Sequence, residues 1–183
     1  MVAVTTMPQS RPLTWRDLED RPDDGHRYEL IDGALVVTPA PHWRHQRGVT
    51  QLWLALHAEC PDELEVFVAP LDVRLAEDTV LQPDVLVARR SDLTERYLAA
   101  SPVLAVEILS PSTRLIDLNL KKARYEAAGC PSYWVIDPVE PSLIAWDLQD
   151  REYVEVAHVR GDEAFEATLP FAVTITPSAL VSD

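Results

Sequence analysis

Two acidic residues stand in apolar surroundings that offer them little solvent. Glu107 interrupts Leu104-Ala105-Val106-Glu107-Ile108-Leu109, and Asp84 opens Asp84-Val85-Leu86-Val87 directly after Pro83. An almost wholly apolar strand is the pattern of a segment covered on both faces. An ionised carboxylate taken out of water there is costly unless an arginine, a shared proton or a metal ion offsets it. Alone, Asp84 reads as a turn or strand-start residue and Glu107 as half of a buried ion pair. Together, on two apolar strands twenty-three positions apart, they can converge if the strands are neighbours. Convergent carboxylates suit a hard cation such as magnesium, which takes one or two carboxylates plus waters and substrate phosphates.

The basic residues are unevenly chosen. Fourteen of sixteen are arginine, and the only lysines, Lys121 and Lys122, are adjacent. An ammonium differs from a guanidinium fork mainly where a compact donor must reach one oxygen. Lys121 has Leu118 and Tyr125 at i−3 and i+4, and Lys122 has them at i−4 and i+3. Helix geometry therefore does not choose between the two lysines. Asp117, one turn before Lys121, could steady its ammonium.

Other chemistries are missing. The five glycines form no phosphate-cradling loop, no His or Cys cluster has zinc spacing, and no serine sits in a nucleophile elbow. Cys60 and Cys130 are isolated, which reads as two reduced thiols. With 16 basic and 30 acidic residues the formal charge is −14, which opposes passive binding to DNA or membranes. A nucleic-acid partner would need local basic groups, and Arg44, Arg47, Arg89, Arg90 and Arg114 lie near the motifs. No apolar run is long enough to span a bilayer. The start, MVAVTTMPQSRP, lacks the order of an export signal, so a cytoplasmic protein is expected.

The elements that must position these groups are legible from pattern. Residues 1–12 carry no periodicity and read as a mobile arm, and 13–183 as one domain. Thr14 with Asp17 three places on is an N-cap box for a short helix. RYELIDGALVV reads as two strands joined at Asp32-Gly33. PHWRHQRGVTQLWLALHAEC puts Val49, Leu52, Trp53 and Leu56 on one stripe of a helix ending near Pro61. EVFVAPLDVRL, PDVLVARR and the Glu107 segment read as strands. SPSTRLIDLNLKKARYEAAG reads as a second long helix, capped by Ser112 or Thr113 and stopped by Gly129. SYWVIDP, SLIAWDL, EYVEVAHV and FAVTI read as further strands. This order predicts an α/β (α+β) domain, a mixed sheet with helices packed on it.

The pieces YELIDGALV, PAPHWRH, QPDVLV, VEILSPST, DLNLKKARYEAAG and YWVIDP cover about residues 28 to 138. In type and order they resemble the Uma-two group of bacterial endonucleases, within the PD-(D/E)XK nuclease superfamily. The resemblance implies a restriction-endonuclease-like fold, a central mixed sheet flanked by helices with a magnesium-dependent phosphodiester-cleaving site. Asp84 and Glu107 match the superfamily's two acids and, with the Ile108 carbonyl, would bind Mg2+ or Mn2+. Glu29 matches the N-terminal acid, although its spacing fits an outward-facing strand glutamate equally well. The superfamily's usual lysine lies two places after the second acid, where this chain has Leu109. In the Uma-two pattern a lysine of the following helix substitutes, and Lys121 is the match. His45 matches a family histidine that could contact phosphate, and is as readily a structural histidine; Lys122 is a second candidate for substrate binding. The partner implied is nucleic acid, DNA before RNA, with no membrane association and with homodimerisation open. The rival reading is a non-catalytic module of the same fold that binds nucleic-acid ends or a protein, kept open by Leu109 and the acidic charge.

Overall fold

The structure is a computed structural model that describes residues 5, 6, 11–19, 21, 24–38 and 40–182. Its elements begin with β1 (Thr5–Thr6), α1 (Arg16–Glu19), β2 (Arg27–Ile31), β3 (Ala34–Thr38) and α2 (Trp43–Glu59). There follow β4 (Leu64–Val68), β5 (Asp72–Ala76), β6 (Thr79–Leu81), β7 (Val85–Arg89), β8 (Tyr97–Leu98) and β9 (Leu104–Ile108). A π-helical stretch at Ile116–Lys121 runs into α3 (Lys122–Ala127). The chain ends through β10 (Ser132–Asp137), β11 (Ser142–Gln149), β12 (Glu152–Arg160), β13 (Phe165–Ala167), β14 (Val173–Ile175) and α4 (Pro177–Val181).

Local chemistry accounts for most of these boundaries. The Thr14 N–H donates to Asp17 Oδ2 at 2.8 Å, while the Asp17 N–H returns to the Thr14 carbonyl at 2.9 Å. The carboxylate arm of the expected N-cap box is thus made, whereas the Asp17 N–H goes to the Thr14 backbone and not to its hydroxyl. Between β2 and β3 both turn residues have positive φ, 51° at Asp32 and 76° at Gly33, the turn that matches strand twist. A Cβ on Gly33 would stand 2.7 Å from the Pro12 Cβ, so the site excludes a side chain twice over. In α2 the residues Val49, Leu52 and Leu56 are buried as the stripe predicts, with Trp53 partly buried and donating Nε1–H to the Val66 carbonyl at 3.0 Å.

Two expectations are corrected. EVFVAPLDVRL is two strands, broken at Ala69-Pro70, because proline has no N–H for a ladder. Its halves, β4 and β5, join different sheets. The second long helix is interrupted by π geometry across Ile116–Lys121, where hydrogen bonds widen to i→i+5. The short elements β6, β8, β13 and α4 span two to five residues, too few to show a period. Of the segment 1–12 read as an arm, most lies outside the described residues; Thr5 and Thr6 pair with Val37 and Val36.

A central mixed sheet, ordered β12-β11-β10-β9-β7-β4, is parallel only at β9–β10. A second sheet, β1-β3-β2-β6-β5-β8, and a β13–β14 pair complete the strands. On one face of the central sheet α2 lays Val49, Leu52 and Leu56 against Val66, Val85, Val87, Val106 and Ile108. The other face buries Ala105, Leu109 and Tyr133 under Tyr125 of α3 and Ile31, Val36 and Leu81 of the second sheet. Glu107 shares this second face with Ala105, because strand side chains alternate. Among the described residues no helix is long and apolar enough to cross a membrane.

Candidate active site

Strands β7 and β9 are antiparallel neighbours, with Val85 opposite Val106 and Leu86 opposite Ala105. The next position in that register sets Asp84 against Glu107, and both are buried. Asp84 is heavily bonded. Its Oδ2 accepts from the Ile108 N–H at 2.8 Å and lies 3.0 Å from His45 Nε2, while Oδ1 accepts from Arg27 Nη1 at 2.9 Å. Ile108, whose carbonyl was the expected third ligand, ends β9 beside these atoms.

The π stretch brings Asp117 and Lys121 inward together. Lys121 is 2% exposed, and its Nζ lies 2.8 Å from Glu29 Oε1, 3.1 Å from Glu107 Oε1 and 3.8 Å from Asp117 Oδ1. Glu29 comes from the second sheet and is 1% exposed, not outward-facing. Its Oε1 also accepts the Gln82 N–H at 2.8 Å. The residues of β2 alternate: Tyr28 and Leu30 pack with Leu13 and Val80, while Ile31 packs toward the central sheet. Arg27 and Glu29 share the Ile31 side.

Four buried carboxylates, Glu29, Asp84, Glu107 and Asp117, thus face two fixed cations, Lys121 and Arg27. Burial and these charges together set the titration of Glu107, Asp117, Asp84 and Lys121. Burial pushes Glu107 well above the usual carboxylate range; the Lys121 charge opposes this and the other carboxylates reinforce it. Burial likewise lifts Asp117 to about 6, against the pull of Lys121. For Asp84 burial also acts upward, yet the His45 hydrogen bond and the Arg27 charge outweigh it and hold the group well below its ordinary value. Lys121 is the converse: burial disfavours its charge, but Glu107, Glu29 and Asp117 overcome that and keep it charged. Among the described residues three buried oxygens here have no hydrogen-bond partner: Asp117 Oδ1, the Tyr125 hydroxyl and Gln82 Oε1. Orphaned buried polar atoms are rare and mark strain or an external ligand.

Of the remaining sequence candidates, His45 touches the cluster through Asp84 Oδ2 and the others fall elsewhere. His45 is buried, with Nδ1 unpartnered. Lys122 stands apart from the cluster, its ammonium 5.1 Å from the Trp146 ring centre and 5.5 Å from that of Tyr153. Of the arginines, Arg89, Arg90 and Arg114 pair with Asp92, Glu65 and Asp137, Arg47 bonds the Ser182 carbonyl, and Arg44 lies over Trp43. Three of the five are thus paired with carboxylates. Arg27 escapes the motif-based reading, although its place two residues before Glu29 on one strand is a usable signal. A cavity of about 470 Å³ bounded by Glu63, Arg90 and Leu169 holds no member of the cluster.

A mixed sheet with helices on its faces and an acid pair on adjacent strands defines a restriction-endonuclease-like fold. A crystal structure titled "a putative nuclease belonging to DUF820", from Anabaena variabilis ATCC 29413, superposes with a TM-score of 0.76. The two chains are 20% identical, and the alignment covers 93% of this chain and 98% of the other. The chain belongs to the Uma2 family, described as "Putative restriction endonuclease", whose profile matches residues 15–178. No curated protein matches it.

Proposed function

We propose that the protein is a metal-dependent endonuclease that hydrolyses phosphodiester bonds in DNA. The observation that carries this reading is the register of β7 and β9, which opposes Asp84 and Glu107 beside a buried ammonium. Four buried carboxylates against two fixed cations leave Glu107 well above its ordinary range, and a divalent cation would favour its ionised form. The donors fit magnesium or manganese, being hard oxygens. Among the described residues no three His, Cys, Asp or Glu side chains form a group able to hold an ion. A site of two carboxylates would draw its other ligands from the Ile108 carbonyl and from oxygens of water and substrate.

Asp84 and Glu107 would hold the ion. Such an ion would polarise the phosphoryl oxygen and lower the pKa of a water. The water oxygen adds to phosphorus and gives up a proton to solvent, the ester P–O bond breaks, and the leaving oxygen takes up a proton from solvent. Lys121, aimed by Glu29 and Glu107, offsets charge growing on the phosphoryl oxygens. His45 holds Asp84 in place through Oδ2. A chain with one such cluster cuts one strand at a time, so both strands are cut either by two copies together or in two successive events; sedimentation velocity tells whether two copies associate.

Plasmid nicking by purified protein with Mg2+ or Mn2+, and its loss on adding chelator, tests the reading. Protein that binds neither cation and leaves DNA intact would instead be the non-catalytic module.

A further inference from the structure

A cavity of about 420 Å³ opens beside the carboxylate cluster, lined by Arg21, His26, Arg27, Gln46, Asp72 and Gln82 among others. Among the described residues its one lining acid, Asp72, already accepts from Gln82 Nε2 at 2.7 Å. His26 pairs with Asp24 at 3.0 Å. Arg27 stands between this cavity and Asp84. Its Nη1 makes both of its hydrogen bonds, to Asp84 Oδ1 at 2.9 Å and to the Gln82 carbonyl at 3.2 Å. Among the described residues its Nε and Nη2 donate to none. That free edge is the fork by which arginine takes two oxygens of a phosphate.

The other side of the ion pair adds a constraint. Asp84 Oδ2 is committed to His45 and to the Ile108 N–H, so a cation approaching Asp84 must use Oδ1. Arg27 already sits on that oxygen. A guanidinium and a divalent cation cannot share one carboxylate oxygen without strong like-charge repulsion.

We propose that Arg27 is a cation with two stations. With the site empty it neutralises Asp84; with substrate present it turns its free edge to a phosphodiester lying in this cavity and leaves Oδ1 to the metal. The proposal rests on the nuclease reading above. It makes Arg27 a substrate-binding residue and, toward the metal, a competitor.

The test is a calorimetric titration of Mn2+ into the full-length protein and into Arg27→Gln, which keeps a donor for Asp84 and loses the charge. Alongside it, anisotropy measures binding of a short DNA duplex in Ca2+, a hard cation of the same ligand preference, over a range of salt. Arg27→Gln should bind Mn2+ about tenfold or more tightly, the ordinary scale of coupling between two ligands. It should bind the duplex more weakly, with the log–log salt slope smaller by about one phosphate contact. Arg27→Lys, which keeps a charge on a different geometry, should bind Mn2+ like the wild type while still binding duplex less well. Unchanged Mn2+ affinity together with an unchanged salt slope in Arg27→Gln would overturn the proposal and leave Arg27 a structural ion-pair partner. A wild-type protein that binds no divalent cation would overturn the nuclease reading and this one with it. Wild-type binding and cleavage with an indifferent Arg27→Gln removes this one alone.

Discussion

Lys121→Met removes the one ammonium among Glu29, Glu107 and Asp117, with distances of 2.8, 3.1 and 3.8 Å to be left unfilled. Methionine fills similar space, so the loss is one of charge rather than volume. Breaking a buried pair by removing one partner costs about 3–5 kcal/mol. For a domain of this size that lowers Tm by about 6–20 °C. The deficit should depend on pH, with a definite sign. Glu107 and Asp117 already have folded pKa values above their ordinary ones, Asp117 at about 6, and without Lys121 both rise further. A group raised on folding contributes stability that is full below its unfolded pKa and lost as pH rises through its folded pKa. The gap between wild type and variant should therefore be widest near pH 8 and narrow toward pH 5, where the carboxylates take up protons. Melting curves at pH 5, 6, 7 and 8 read it directly. Cleavage at neutral pH should fall about a hundredfold to a thousandfold, the usual cost of one oriented charge donor. Lys122→Met is the matched control: it loses a partly exposed cation over Trp146 and Tyr153, costing under about 1 kcal/mol and little activity. A Lys121→Met gap that is independent of pH, or no larger than the Lys122→Met one, would refute the electrostatic account of the cluster.

Asp84→Asn should abolish plasmid nicking with circular dichroism close to wild type but with a lower Tm, since one amide oxygen replaces two carboxylate oxygens and leaves either Arg27 or the Ile108 N–H facing an NH2 group. Magnesium at about a hundred times its Kd should raise Tm by about 5–10 °C and chelator should reverse it; in Glu107→Gln neither should change the melting curve in differential scanning fluorimetry. Gly33→Ala should cost at least about 1–2 kcal/mol in urea unfolding, because φ is +76° and the new methyl meets Pro12.

The chain announces its acid pair because a charged residue in an apolar strand violates local pattern, and only a partner can explain it. It announces the hairpin through Asp32-Gly33 and α2 through the spacing of Val49, Leu52 and Leu56, all interactions within a few residues. That β7 and β9 are antiparallel neighbours, putting Asp84 opposite Glu107, is a pairing between distant segments, on which periodicity says nothing. Lys121 faces inward and Lys122 does not, and here the π stretch and the packing of Tyr125 beneath the central sheet decide a rotation that an α-helical wheel leaves open. Glu29 could equally have faced solvent; the second sheet, laid over Ala105 and Leu109, turns it into the cluster. Arg27 carries no motif at all. Its place on the free oxygen of Asp84 follows from two sheets meeting at one carboxylate, and long-range packing alone sets that distance.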